Sequence, residues 1–165
     1  MVGETDREGV LKVRSESPED TEELGVAVGM LLSPGAFLFL SGDLGGGKTL
    51  FARGISRGLE CKEQATSPSF ALLHRYEGRI PFYHLDLYRL SRPEDTAVLA
   101  LDELLEEEAV VAVEWGDVAK GQFPTDLLKV HFNYGEKDNE REIIFRPYGD
   151  NYRILLKELA GKCGF

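Results

Sequence analysis

A glycine-rich stretch near the end of the first third of the chain has residue types and a spacing that suit a bound phosphate chain. In order, its residues are Gly42, Asp43, Leu44, Gly45, Gly46, Gly47, Lys48 and Thr49. They fit the pattern G-x-x-x-x-G-K-[ST] in full. Glycines let backbone N–H groups turn towards an anion, and a helix that starts there adds its positive end. We therefore predict that Lys48 reaches the β- and γ-phosphates of a nucleotide and that the Thr49 hydroxyl contacts Mg²⁺.

Two acidic residues stand at the ends of apolar segments, where a magnesium–nucleotide site needs a carboxylate. Asp86 follows the apolar residues of FYHLDLYR, and Glu114 ends the apolar run of AVVAVEW. In a doubly wound sheet the carboxyl ends of the strands lie beside the phosphate loop. Asp86 would hold Mg²⁺ through a water, and Glu114 would bind the metal or orient the attacking water. The alternative for either residue is a structural acid at a strand end.

Four further features have two or more interpretations each. His84 shares a strand face with Asp86, so it would orient Asp86 or a phosphate, or be a hydrogen-bonded core histidine. Trp115 would cover the nucleotide or belong to the core. Arg89 would pair with Asp86, contact phosphate or be exposed. The hydroxyl-rich segment 66–70 would be a switch that senses the γ-phosphate, or a plain turn.

The elements that must position these residues follow from hydrophobic patterning. Short apolar or alternating segments predict strands at 10–15, 36–41, 69–76, 80–88, 109–115, 127–134 and 140–147. Helical patterns cover 17–32, with Ser17 as its cap, and 48–60, 93–109 and 151–161. Buried strands mixed with helices and hairpins predict one three-layer α/β domain with a mixed sheet over residues 1–165.

Composition excludes several classes of protein. The 165 residues include 19 basic and 29 acidic side chains, a net charge of −10, which suits direct binding of nucleic acid poorly. Cys61 and Cys163 lack metal-ligand spacing, which favours a reducing compartment. From the charged N-terminus we expect no signal peptide, and no segment is apolar enough to predict a membrane span. We expect a cytoplasmic protein that meets any nucleic acid through partners.

The motifs GDLGGGKT, SPSF, HLDLYRL and VEWGD, in this order and spacing, resemble the bacterial TsaE (YjeE) family. The resemblance covers about Leu24 to Val118. Members of that family are small ATPases required for making threonylcarbamoyladenosine at position 37 of tRNA. The resemblance implies a P-loop NTPase fold in which antiparallel strands extend a parallel core.

The resemblance also implies a set of site residues, with ATP and Mg²⁺ as cofactors. Lys48, Asp86 and Glu114 would be catalytic. Thr49, Asp86 and Glu114 would hold the metal, Asp86 in a Walker-B-like role. The segment SPSF would act as a switch loop. The implied nucleotide-binding residues are Asp43, Leu44, Gly45, Gly46, Gly47, Lys48, Thr49, Leu50, Ser69 and Trp115.

The partners that the resemblance implies are two proteins of one ASKHA-type fold. They are the catalytic threonylcarbamoyltransferase and its paralogue, TsaD- and TsaB-like. ATP binding and slow hydrolysis would support turnover of their complex without performing the transfer. The chain would meet tRNA only through that complex, would not contact a membrane, and would be an ATP hydrolase that its partners activate.

The chain departs from the family pattern at two positions. Ser69 replaces the usual threonine of SPTF but keeps a hydroxyl, so a contact with phosphate or metal stays possible. Leu50 replaces a second threonine that often follows GKT. Leu50 cannot make the contact with the α-phosphate that the threonine side chain would make. We expect this loss to affect nucleotide affinity more than function.

Other functions remain open at this point. A small nucleotide or small-molecule kinase would need a lid of arginines, and Arg75, Arg79, Arg89 and Arg92 do not cluster as a lid insertion would. A GTP switch would need the N-K-x-D signature, which the sequence lacks. An assembly factor that binds ATP but scarcely hydrolyses it differs from the ATPase only in whether Glu114 takes part in chemistry.

Overall fold

One mixed sheet of eight strands organises the protein. The computed structural model describes residues 1–66, 72–90 and 101–164. The strands are β1 Val2–Thr5, β2 Leu11–Ser15, β3 Phe37–Gly42, β4 Leu73–Tyr76, β5 Phe82–Asp86, β6 Val110–Glu114, β7 Leu127–Tyr134 and β8 Arg141–Tyr148. Their order is β1-β2-β8-β7-β3-β6-β5-β4. Strand β3 pairs in parallel with β6 and β7, and β5 with β6, while the other pairs are antiparallel. The predicted mixed sheet with a parallel core is confirmed.

Helices cover both faces of the sheet. They are α1 Pro18–Leu31, α2 Lys48–Gly58, α3 Leu101–Glu106 and α4 Asp150–Cys163, with a 3-10 helix at Gly116–Gln122. Helices α1, α2 and α4 share one apolar core with the sheet. Helix α3 and the 3-10 helix contribute Leu104 and Ala119 to a second core on the opposite face. The three-layer arrangement is therefore confirmed; residues 93–100 of the third predicted helix lie outside the described residues.

Helices α1 and α2 approach each other along a seam of glycines. Gly25 and Gly29 in α1 face Gly54 and Gly58 in α2, and each pair has a spacing of four residues. A Cβ atom added to Gly54 would lie 2.1 Å from the Glu22 carbonyl oxygen. Since no real Cβ atom comes so close, the helices could not pack at this distance with larger residues. The seam thereby holds α2, which begins at Lys48, against the rest of the layer.

The N-terminal part of the chain shows one confirmed detail and one element that patterning missed. The Ser17 side chain accepts a hydrogen bond of 3.0 Å from the Asp20 N–H, as a helix cap should. Strand β1 was not predicted, because its four mostly exposed residues do not alternate between apolar and polar side chains. It forms a strand by pairing with β2. Among the helices in the described ranges, none combines the length and the apolar character needed to cross a bilayer.

Candidate active site

The glycine-rich loop connects the carboxyl end of β3 to the first residue of α2. Gly47 precedes the helix with φ of 107°, in the left-handed region that favours glycine. Gly42 has φ of 131°, and a Cβ atom there would lie 2.4 Å from the Phe132 carbonyl oxygen. The glycines at these two positions therefore let the loop turn sharply beside β7. The turn brings the backbone of the loop to the N-terminus of α2, as phosphate binding requires.

The hairpin of β7 and β8 holds the tip of this loop. The Tyr134 hydroxyl donates to the Leu44 carbonyl oxygen, and the Arg141 guanidinium donates to the Gly45 carbonyl oxygen at 3.2 Å. The guanidinium also lies 4.6 Å from the centre of the Tyr134 ring. Sequence reasoning predicted the hairpin but missed these contacts. They depend on the parallel pairing of β3 with β7, which no local pattern reports.

Lys48 lies buried at the start of α2, with 4% of the residue's surface exposed. Its ammonium donates hydrogen bonds of 2.7 Å to the carbonyl oxygens of Gly42 and Asp43. The same nitrogen lies 4.3 Å from the centre of the Trp115 ring. Burial lowers the pKa of Lys48 below its ordinary value, against the opposing effect of nearby carboxylates, of which Glu114 is the strongest. A buried ammonium whose hydrogen-bond partners are neutral carbonyl oxygens suits a lysine that binds an anionic ligand.

The two predicted acids lie side by side at the carboxyl ends of β5 and β6. Asp86 and Glu114 are register partners across these parallel strands. The Thr49 hydroxyl donates to Glu114 Oε1 at 3.1 Å. Asp86 accepts a hydrogen bond of 3.0 Å from the Tyr88 N–H through Oδ1. The structure thus brings both acids and the threonine of the phosphate loop to one edge of the sheet.

His84 contacts a different acid from the one that sequence reasoning suggested. It does face the site, but its Nε2 lies 2.8 Å from Glu114 Oε1, and its ring is completely buried. The expectation that His84 orients Asp86 is therefore wrong, because its hydrogen bond goes to Glu114. A contact with phosphate stays a prediction, and the burial and the hydrogen bond agree with a core histidine. The alternation of side chains along a strand correctly predicted the face on which His84 lies. It could not identify Glu114 as the partner of His84, because Glu114 lies on the neighbouring strand.

A cavity of about 360 Å³ joins these groups. Trp115 borders it, with φ of 56° and its ring 5.1 Å from that of Tyr88. Ser69 lies outside the described residues, and the Arg89 side chain is exposed. Sequence reasoning missed four residues of the wall, namely Pro18, Thr21, Asn139 and Arg141. The cavity is lined by Pro18, Thr21, Leu44, Gly45, Gly46, Gly47, Lys48, Thr49, Leu50, Asp86, Glu114, Trp115, Asn139 and Arg141.

The oxygen atoms in this cavity fit a magnesium ion that a nucleotide brings with it. Thr49, Asp86 and Glu114 offer one hydroxyl and two carboxylates, the hard ligands that Mg²⁺ prefers. Magnesium takes its remaining ligands from water and phosphate oxygens in such sites. Within the described ranges no group of three or more histidine, cysteine, aspartate or glutamate side chains could hold a metal alone.

Two of the arginines considered for a kinase lid have structural contacts. Arg75 donates to the Tyr83 hydroxyl and to the Glu107 carboxylate. Arg79 donates to the carbonyl oxygens of Gly29 and Leu32 at the end of α1. Neither arginine lines the cavity. Arg92 lies outside the described residues.

Comparisons with known proteins agree with this geometry. The model of the family described as threonylcarbamoyl adenosine biosynthesis protein TsaE matches residues 15–143. The tRNA threonylcarbamoyladenosine biosynthesis protein TsaE of Bacillus subtilis (strain 168) is 36% identical over 151 residues, which cover 91% of this chain and 94% of that protein. The Treponema pallidum (strain Nichols) protein of the same name is 40% identical over 129 residues, with 78% and 95% covered.

A solved structure extends the similarity to the whole fold. The crystal structure of Bacillus subtilis YdiB matches with a TM-score of 0.79 and 32% sequence identity, over 99% of each chain. The predicted P-loop NTPase fold is thereby confirmed. The family model matches from the end of β2 into β8, and the whole fold agrees with the solved structure, so the chain belongs to the TsaE family.

Proposed function

We propose that this chain is a magnesium-dependent ATPase that supports the synthesis of threonylcarbamoyladenosine in tRNA. The proposal rests on one observation: Lys48 and Thr49 line the same cavity as Asp86 and Glu114. A phosphate loop beside two strand-end carboxylates is the arrangement that phosphoryl chemistry on a nucleotide needs. The family to which the chain belongs supplies the pathway.

Binding of the triphosphate would use the loop backbone, Lys48 and the dipole of α2. The Lys48 ammonium now donates to the Gly42 and Asp43 carbonyl oxygens, and it would turn from them to the β- and γ-phosphates. These phosphates offer stronger, charge-assisted hydrogen bonds than the two carbonyls do. Trp115 borders the same space, so its fluorescence should report on binding.

Hydrolysis would rely on the two carboxylates and the threonine hydroxyl. Magnesium would neutralise charge on the phosphate oxygens when it is bound with the nucleotide. Thr49, Glu114 and Asp86 would hold the metal, directly or through water, and Glu114 would also orient the attacking water. The reaction is slow in our proposal, and partners speed it.

The proposed partners are a TsaD-like threonylcarbamoyltransferase and its TsaB-like paralogue. Several relatives carry names that place them in tRNA threonylcarbamoyladenosine biosynthesis. In this proposal the chain acts in the cytoplasm and reaches tRNA only through the complex. Its cycle of ATP binding and hydrolysis resets the complex between rounds of transfer.

The test is steady-state ATP hydrolysis by the purified protein, alone and with the two partner proteins. We expect low activity alone, a higher rate with the partners, and loss of activity in Lys48→Ala and Glu114→Ala. Matched controls are Lys157→Ala and Glu158→Ala, which change exposed residues of α4 away from the cavity. Both controls should keep the wild-type rate.

Two results would contradict the proposal, and a third would change the role of Glu114. If the rate is unchanged by the partners, the pathway assignment is wrong. If ATP is consumed only after a small-molecule acceptor is added, and in proportion to it, the protein is a kinase. Equal rates in wild type and Glu114→Ala would remove the proposed role of that carboxylate. If both rates are negligible even with the partners, an assembly factor that binds ATP is favoured.

A further inference from the structure

The Glu114 carboxylate receives two hydrogen bonds on one oxygen from two different elements. His84 of β5 lies 2.8 Å from Oε1, and the Thr49 hydroxyl of α2 lies 3.1 Å from the same atom. Within the described part of the chain, Oε2 has no hydrogen-bond partner. Glu114 lines the cavity although only 3% of its area is exposed. Oε1 is therefore the tethered oxygen, and Oε2 is available to a ligand.

The protonation pattern of the imidazole follows from its surroundings. An ionised carboxylate only accepts hydrogen bonds, so the contact requires an N–H at His84 Nε2. The other nitrogen, Nδ1, is buried and has no partner among the described residues. A proton on Nε2 satisfies the carboxylate, and Nδ1 then stands as an acceptor and not as an N–H without a partner.

The ring plane of His84 is fixed by other aromatic rings. His84 stacks on Phe82 with an interplanar angle of 7° and a centroid distance of 6.2 Å. Phe82 in turn stacks on Tyr76 at 5.9 Å. Both His84 and Phe82 are completely buried on the face of the sheet that α1, α2 and α4 cover. The donor therefore has one defined position.

The histidine at this position carries a cost in stability. A buried polar atom without a partner costs free energy, and Nδ1 is such an atom. A phenylalanine would keep the stack without that cost, but it would remove a hydrogen bond from the buried Glu114 carboxylate. What only the histidine adds is the N–H that faces Glu114.

We propose that His84 is a positioning residue that holds the Glu114 carboxylate in its working orientation, an inference that rests on the proposed ATPase function. Thr49 belongs to the loop that binds the phosphate chain, whereas His84 belongs to a central strand. Only the contact with His84 is independent of whether a nucleotide is bound. It keeps Oε1 tethered, so that Oε2 meets the attacking water or the metal in each turnover.

Two substitutions separate the donor from the packing. His84→Phe keeps an aromatic ring on Phe82 and removes the N–H. His84→Gln restores an amide N–H at about the distance of Nε2. The matched control is His131→Phe, because His131 bonds Ser41 on the opposite face of the sheet. Each full-length variant is assayed with the two partner proteins, and thermal unfolding of each is recorded.

We expect kcat for ATP hydrolysis to fall about tenfold or more in His84→Phe, as is typical when a residue that orients a ligand is removed. The Kd for ATP, read from Trp115 fluorescence, should stay within about threefold, because His84 touches no part of the phosphate loop. His84→Gln should recover most of kcat, and His131→Phe should match wild type. A wild-type kcat in His84→Phe would overturn the inference, as would equal losses of kcat in both His84 variants.

A second measurement tests the contact without turnover. Long-range proton–nitrogen NMR spectra of the histidine rings should show His84 protonated at Nε2. That resonance should shift in Glu114→Gln and stay in place in His131→Phe. A ring protonated at Nδ1 instead would overturn the inference. If the wild-type protein hydrolyses no ATP under any condition, the proposed function is wrong. The NMR spectrum would then still show whether His84 donates a hydrogen bond to Glu114.

Discussion

Leu50 lines the cavity beside the phosphate loop with an apolar side chain, at the position where the family pattern predicts a second threonine after GKT. It follows Thr49 in the first turn of α2 and is half-buried in the wall of the cavity. In the proposed complex this position lies beside the α-phosphate. A leucine offers no donor there, so the phosphate oxygen must find its partner in the backbone or in water.

Leu50→Thr should therefore tighten ATP binding. A hydrogen bond to a charged group contributes about 1.5–3 kcal/mol, which corresponds to about tenfold or more in Kd. Titration of ATP against Trp115 fluorescence measures the effect. Leu50→Val is the matched control, since it has the same branched shape without the hydroxyl and should leave Kd near the wild-type value. Equal affinities for Leu50→Thr and Leu50→Val would show that no α-phosphate contact forms.

Sequence reasoning succeeded at residues whose spacing along the chain is itself the signal. Lys48 and Thr49 stand in a contiguous motif, and Asp86 and Glu114 end two buried strands, so their shared cavity follows from the fold class. It failed where two residues meet across strands. The contact of His84 with Glu114 depends on the order and register of β5 and β6. A single sequence has no local pattern that reports either.

At the scale of elements, the glycine seam between α1 and α2 sets the position of the phosphate-loop helix. Gly54 lies over the backbone of α1, where a Cβ atom would be 2.1 Å from the Glu22 carbonyl oxygen and 2.9 Å from Gly25 Cα. A contact of backbone against backbone cannot be relieved by a change of rotamer. Any side chain at this position must push the two helices apart.

Gly54→Ala should lower the free energy of unfolding by about 1–3 kcal/mol, the usual range for overpacking a core. Thermal unfolding should show a drop of several degrees in Tm. The control is Gly161→Ala in α4, where an added Cβ atom meets nothing within 4 Å. Alanine is the better helix former, so this variant should be as stable as wild type or slightly more so. A Tm for Gly54→Ala equal to that of Gly161→Ala would contradict the packing argument.

Glu140 ties the turn of the β7–β8 hairpin to β2. Its buried carboxylate accepts hydrogen bonds from Lys137 Nζ at 3.1 Å and from Arg14 at 2.9 Å. The bonds from Lys137, followed by those from Arg14, lower the pKa of Glu140 from its ordinary value of 4.5 to about 2. The folded state therefore holds this proton less tightly than the unfolded chain does. Its contribution to stability is present above about pH 4.5 and is lost as the pH falls towards 2.

Glu140→Gln should make the protein less stable at pH 7, and the difference from wild type should shrink as the pH falls from about 4.5 to 2. Urea unfolding at several pH values measures this. Glu136→Gln, an exposed residue of the same turn, should show no such convergence. A constant difference between wild type and Glu140→Gln at all pH values would mean that the lost contact is not ionic.

Patterning predicted most elements but not their contacts. The hairpin of β7 and β8 was expected, and its strands agree with the structure. That Tyr134 and Arg141 of this hairpin hold the phosphate loop could not be foreseen, because patterning does not give the position of β7 beside β3. Strand β1 was missed, since four mostly exposed residues at a sheet edge have neither an apolar run nor an alternation.

At the scale of the whole molecule, the net charge opposes binding of nucleic acid more than it opposes binding of a small anion at the phosphate loop. The net charge is −10, yet the phosphate loop can bind an anion because backbone N–H groups, Lys48 and a helix end act at short range. A tRNA presents phosphates over a much longer distance than the loop spans. Binding of that backbone needs several lysines and arginines that release counterions, and a surplus of acidic groups opposes it.

We therefore expect the isolated protein to bind tRNA with a Kd weaker than micromolar at physiological salt, although it acts in tRNA modification. Fluorescence anisotropy with labelled tRNA measures this, first with the protein alone and then with the two partner proteins. Added alone, the chain should leave the anisotropy almost unchanged; stable binding should appear only with the partners, whose surfaces would supply the cationic contacts. If the isolated chain binds tRNA with a sub-micromolar Kd that weakens steeply with salt, it has a phosphate-binding surface of its own. The proposal that this chain hydrolyses ATP while only its partners bind tRNA would then be wrong.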